Sequence, residues 1–312
     1  MLILDSIQSI LPIIIMIAVG YVLTRKGWFN TDTSNLFSKL VTSVALPPYM
    51  IYNIMSTYTK DKLIEAGPGL IVPFASIAAA YLLSMGISVV FKIKEQRRGA
   101  FQSMFALSNT IFVGLPICLA LFGEQSTPYV LLYYIANTTI FWTIGVYGIS
   151  CDGQQTKTSI FNINTIKRIF SPPLIAFILA VILVLLDVQL PPFIMDTCRY
   201  IGNLTTPMAM LFIGIVIATT GIKGVKIDAD IIMLMAGRFI ITPIITLLLS
   251  YFLPMPDLMR KVFVIMAAMP AMGQTPILCK SYDADYQYAA AVVTLTTIIS
   301  MIAIPLYMVF MA

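Results

Sequence analysis

Ser108-Asn109-Thr110-Ile111-Phe112-Val113-Gly114-Leu115-Pro116 lies in the middle of an apolar segment long enough to cross a bilayer. A spanning helix needs about 20 mostly apolar residues, yet this one carries residues that oppose a continuous helix. Pro116 lacks a backbone N–H and its ring clashes with the carbonyl four residues earlier. Gly114 reaches backbone angles closed to other residues. A second interruption, Met269-Pro270-Ala271-Met272-Gly273-Gln274-Thr275-Pro276, occupies the matching place in the second half of the chain. Unpaired backbone groups in hydrocarbon each cost several kcal/mol, so such breaks persist only where protein or a hydrated cavity satisfies them. The two breaks are expected to meet near mid-membrane and hold a small solute.

Composition sets the class. Of 312 residues 59% are hydrophobic and 11% charged, with a mean hydropathy of +0.92, whereas a soluble chain carries about 25% charge. The expected class is an all-α polytopic membrane protein whose main solvent is the lipid bilayer. Histidine is absent, which excludes histidine-bearing zinc sites, Ser-His-Asp triads and histidine proton relays. Cys118, Cys151, Cys198 and Cys279 show no CxxC spacing, so no disulfide framework is indicated; they read as small apolar packing residues. No cofactor is expected. The net charge of +5 calls for no nucleic-acid partner, because basic residues of membrane proteins gather on one side. The N-terminus reads as a first transmembrane helix rather than a removable signal peptide.

Ten apolar segments are long enough to span: 4–24, 36–57, 67–91, 99–122, 128–150, 170–190, 194–219, 231–253, 260–281 and 286–311. Alternate loops on one side carry twelve Lys and Arg, Arg25, Arg97, Arg98 and Lys167 among them, against five on the other. The richer side is expected to be cytoplasmic, with both termini extracytoplasmic and the protein in the cell (inner) membrane. The polar interval 151–169 divides a first five-span unit, 1–150, from a second, 170–312. Pro12 and Pro172, Pro47 and Pro207, and Pro116 and Pro276 share one offset of 160 residues. With five crossings each, the second unit inserts upside down relative to the first. Two inverted five-helix repeats with crossing broken helices, here the fourth and ninth, are the signature of secondary transporters.

Each break should leave a half-helix starting at its proline, Pro116 or Pro276. Its N–H groups and positive dipole end would face the membrane centre and suit an anion, while the carbonyls of the preceding half would suit a cation. Asn109, Thr110, Gln274 and Thr275 add neutral donors and acceptors, Asn137 adds an amide from the fifth span, and Gly114 and Gly273 let the backbones approach. The plainer alternative is that the prolines kink helices and the amides bond across them as packing. Arg238, about two turns inside the eighth span, either draws an anionic substrate into the cytoplasmic mouth or snorkels to the interface, with snorkelling slightly favoured. Asp187, Asp196 and Glu124 all fall near span ends, so coupling through a buried carboxylate has no evident residue. Na+ held by carbonyls and amides, H+ coupling by another route, or no coupling ion all stay open, and no metal ligands are assigned. An enzyme is not indicated: a metalloprotease needs HExxH, and an intramembrane aspartyl protease needs two buried Asp.

At Asn109 to Ile117, at Met269 to Tyr282, at Arg238-Phe239 with Pro243 and at Asn35 to Pro47, the chain resembles the auxin efflux carrier family over essentially its whole length. The resemblance implies a fold shared with bile-acid sodium symporters. Spans 1, 2, 6 and 7 would form a scaffold, usually a homodimer, and spans 3–5 and 8–10 an elevator-type transport domain. It implies that Asn109 contacts a substrate carboxylate, and that the substrate is a small organic anion, auxin-like or malate- and malonate-like. The short central loop departs from the many plant members that carry a long one. A cation exchanger, a bile-acid-type sodium symporter and a sensor or channel of the same fold are the competing readings.

Overall fold

A computed structural model of the chain describes residues 2–153, 170–220 and 227–311. The connecting interval expected over 151–169 lies outside the described residues from 154 onward, as do Lys223 and Lys226. Among the described residues the protein is helical, with no strand beyond one isolated bridge between Ser108 and Ala271.

Among the described residues five helices are long and apolar enough to cross a membrane: Lys60–Val90, Glu124–Asp152, Pro192–Thr219, Ala229–Ser250 and Tyr286–Ile304. Lys60–Val90, with 31 residues, is about 46 Å long at the α-helical rise. Leu11–Arg25, Thr110–Phe122 and Pro172–Leu185 are shorter apolar helices. The other expected spans are divided by irregular turns: Thr31–Leu40 from Leu46–Thr57, Arg98–Ala106 from Leu115–Phe122, and Asp257–Ala267 from Thr275–Tyr282. The structure thus gives an all-helical, multi-span chain. Large apolar side chains stand exposed around it, Leu82, Val90, Phe193, Phe252 and Ile302 among them. A water-facing surface rarely tolerates such patches, whereas lipid does.

Three prolines sharing an offset do not all sit alike. Pro47, Pro207 and Pro276 each lie within two residues of the start of a regular α-helical stretch, and Pro116 opens the regular part of a helix that begins with the widened turn Thr110–Gly114. Pro12, by contrast, runs inside the helix Leu2–Arg25, while Pro172 opens one. Pro172 holds the preceding Ser171 in extended backbone (φ −66°, ψ 156°).

Where helices touch most closely, glycine allows it. A Cβ added at Gly20 would lie 2.5 Å from the Leu211 carbonyl oxygen, and one at Gly214 would lie 2.2 Å from that of Ile17. The first helix therefore packs backbone to backbone on Thr205–Thr220, the small-residue contact expected when no hydrophobic force drives helices together. Buried hydroxyls of Ser84, Thr246 and Ser300 bond carbonyls three or four residues back, which satisfies them without a partner helix.

Candidate functional site at two crossing breaks

The first break does not begin where its proline stands. Leu107 is extended (φ −107°, ψ 129°), Asn109 takes φ −79°, ψ 77°, and the helix restarts at Thr110. Asn109 caps it, its Oδ1 accepting from the Phe112 N–H at 3.3 Å. The chain leaves the helix at Ser-Asn-Thr because these short polar side chains offer the backbone local alternatives to helical bonds. From Thr110 to Gly114 the turn is widened, with the Leu115 N–H reaching Thr110 O. A widened turn accommodates Pro116 downstream without ending the helix. The expectation that this half-helix starts at Pro116 is therefore corrected by six residues. In the second break the expectation fits: Gln274 precedes Thr275–Tyr282, with Pro276 in the first turn.

The two breaks meet directly. Ser108 and Ala271 pair antiparallel, and the Asn109 N–H donates to Pro270 O at 2.8 Å. Each irregular strand is also held by the helix beside it. Asn137, with no exposed surface, accepts from the Ser108 N–H at 2.8 Å and donates from Nδ2 to Ser108 O at 3.0 Å. One amide side chain thus replaces a strand neighbour for a whole residue. On the other strand the Ala271 N–H donates to Thr296 Oγ1 at 3.2 Å. At the start of Arg98–Ala106, the Asp152 carboxylate accepts from the Gly99 and Ala100 N–H groups at 2.7 and 2.8 Å, anchoring the half-helix that leads into the first break.

A cavity of about 510 Å³ ends on this crossing. Asn109, Thr110, Gly273, Gln274 and Pro276 line it, as does Ser108. A Cβ added at Gly273 would lie 3.6 Å from Asn109 Nδ2, so the two breaks present one continuous polar end. Gln274 Oε1 is buried without a hydrogen-bond partner. The walls combine Phe112, Phe212, Tyr134 and Trp142 with a polar stripe of Thr31, Ser34, Asn35, Ser38 and Thr42. Further along the same span the helices close up. Tyr49 Oη and Thr127 Oγ1 are 3.1 Å apart, and Tyr58 meets Tyr129 edge-on at 6.5 Å.

Gly114, Pro116, Asn137, Thr275 and Arg238 are not at the cavity wall. A Cβ at Gly114 would lie 2.7 Å from Met266 Sδ, so Gly114 serves close packing against the second half. Thr275 is buried with its hydroxyl unpartnered. Arg238 neither snorkels nor sits in the mouth. It lies fully buried in the widened turn Gly237–Ile241 and donates from Nη2 to Ser108 Oγ at 2.8 Å and to the Ala267 carbonyl. One guanidinium thus reaches both breaks from behind. Sequence reasoning passed over Ser108 and the wall of the second span. The wall had a signal, because Thr31, Ser34–Asn35, Ser38 and Thr42 recur at helical spacing on one face.

Comparison with known proteins gives the class. A membrane transport protein family model, that of the auxin efflux carriers, matches residues 5–308. The chain belongs to this family. It is 26% identical over 309 residues to an uncharacterized transporter of Methanocaldococcus jannaschii, covering 96% of each chain. It is 24% identical over 317 residues to one of Methanothermobacter thermautotrophicus, covering 98% of this chain and 99% of the other. With the uncharacterized transporter YfdV of Escherichia coli K12 it shares 28% identity over 220 residues, 68% of each chain. A transport family and several apolar helices make this a multi-pass membrane protein of transport class.

Proposed function

We propose that the protein is a secondary carrier that moves a small organic anion, a carboxylate, across the cell membrane by elevator-type alternating access. The observation that carries this reading is the pairing of the two breaks on the lining of a cavity large enough for a small ligand. The side-chain amides of Asn109 and Gln274 and the Thr110 hydroxyl supply donors, with Gly273 leaving room beside them, next to two positive dipole ends. Ten spans in two inverted five-helix units are the topology that this crossing fits best. In that topology spans 1, 2, 6 and 7 would be a dimeric scaffold, and spans 3–5 and 8–10 would carry the crossing.

The cavity wall includes Thr31 and Asn35, a few residues beyond the basic Arg25-Lys26 pair. With the basic-rich side cytoplasmic, the cavity is the inward-facing mouth and the Tyr49–Thr127 and Tyr58–Tyr129 contacts close the outer side. A cation exchanger is disfavoured because neither break contains a carboxylate. A thermal-shift screen of organic acids on the purified protein, in Na+ and in K+ and at two pH values, tests the function. Stabilisation by one acid supports it, and dependence on Na+ or pH would name the coupling ion. No stabilisation by any acid contradicts the carboxylate reading.

A further inference from the structure

The paired breaks account for a place to bind but leave a whole charge unused behind them. Arg238 has no exposed surface, and its Nε and Nη1 have no hydrogen-bond partner. None of the ion pairs among the described residues includes it. Its titratable neighbours are Tyr133 and Tyr307, phenols that are neutral at physiological pH. The Tyr133 hydroxyl is buried beside the guanidinium. A guanidinium stays protonated in proteins, so a full positive charge is fixed here. The carbonyl end of Asp257–Ala267, reached at Ala267 O, offsets only part of it, because a helix terminus carries roughly half a charge. Only Ser108 separates the guanidinium from the cavity wall.

We propose that Arg238 is the fixed cation that makes the crossing select carboxylates over neutral molecules of the same shape. This rests on the carrier reading above and deepens it. Arg238 acts as a positioning and specificity residue, through space and through Ser108, without touching the ligand. Amide donors serve a carboxylate and an amide to similar degrees and a helix end carries only about half a charge, whereas the guanidinium adds a whole charge that favours the anion. Over roughly 8–10 Å at an effective dielectric constant of about 20, one unit charge changes anion affinity about 15- to 35-fold.

The test measures binding of two matched probe pairs, indole-3-acetate with indole-3-acetamide and malonate with malonamide, to purified protein by calorimetry. The ratio of acid to amide affinity is the readout, since loss of structure lowers both members of a pair together. The wild type should prefer the acid of at least one pair. Arg238→Gln should lower that ratio about 10-fold or more, and Arg238→Lys, which keeps the charge, should hold it within about threefold. A folded Arg238→Gln protein with an unchanged ratio overturns the proposal alone, as does an equal loss for acid and amide. If Arg238→Gln does not fold, a folded Arg238→Lys protein that has lost the ratio overturns it. A wild type that binds no carboxylate of any pair overturns the carrier reading and this proposal with it.

Discussion

Asn109 and Asn137 are both buried amides near the crossing, yet they do different work. Asn109 faces the cavity and caps the half-helix, so its loss removes a donor at the polar end together with one cap. Asn109→Ala should weaken carboxylate binding about 10- to 100-fold, the range for a hydrogen bond to a charged group, while costing only about 1 kcal/mol of stability. Titration calorimetry beside a melting curve separates the two effects. Asn137 faces the Ser108 backbone, and Asn137→Leu would strand a buried N–H and C=O. That should destabilise the protein by about 2–4 kcal/mol, seen as a clear fall in melting temperature; an unchanged melt would contradict the clamp. Sequence alone put both amides at the site and could not divide these roles, because the division depends on which residue lies across from each. The same holds for Arg238: its position inside the eighth span was legible, but its direction depends on the widened turn that carries it.

At the scale of helices, glycine predictions run in opposite directions. Gly20→Leu or Gly214→Leu would push side-chain atoms into backbone of the facing helix and should cost about 1–3 kcal/mol or more through separation of the pair. Gly86, inside Ile71–Val90, has open space where a Cβ would go. Gly86→Ala should therefore leave the melt unchanged or raise stability by about 0.5–1 kcal/mol. Thermal unfolding in one detergent compares all three. The breaks themselves were legible as elements, since Gly-x-Pro and Gly-x-x-Pro inside apolar runs oppose a continuous helix. Their starting points were less so. Proline was given the first turn in both, but in the first break Ser108-Asn109-Thr110 releases the helix earlier and a widened turn absorbs Pro116.

At the scale of the molecule, family membership and the all-helical architecture agree with what composition demanded. The contact between breaks 163 residues apart, Ser108 with Ala271, was foreseen only as a pairing of interruptions, because the partner of a buried backbone group is set by the whole packing. An inward-facing cavity makes a labelling prediction. In a variant with all four native cysteines replaced, Asn35→Cys and Gln274→Cys should react with an impermeant maleimide from the cytoplasmic side. Thr127→Cys, fully buried where the helices close up, should not react from that side. Labelling of Thr127→Cys from the cytoplasm would contradict the proposed closed outer face.

The crossing of the two breaks as an anion site is the centre of the account, and counterflow tests it most directly. Proteoliposomes preloaded with an unlabelled carboxylate that stabilises the wild type would receive the same labelled acid outside. The account predicts a saturable overshoot of labelled acid in wild-type vesicles and its loss in vesicles carrying folded Asn109→Ala. Overshoot of equal size and affinity in the Asn109→Ala vesicles would contradict it.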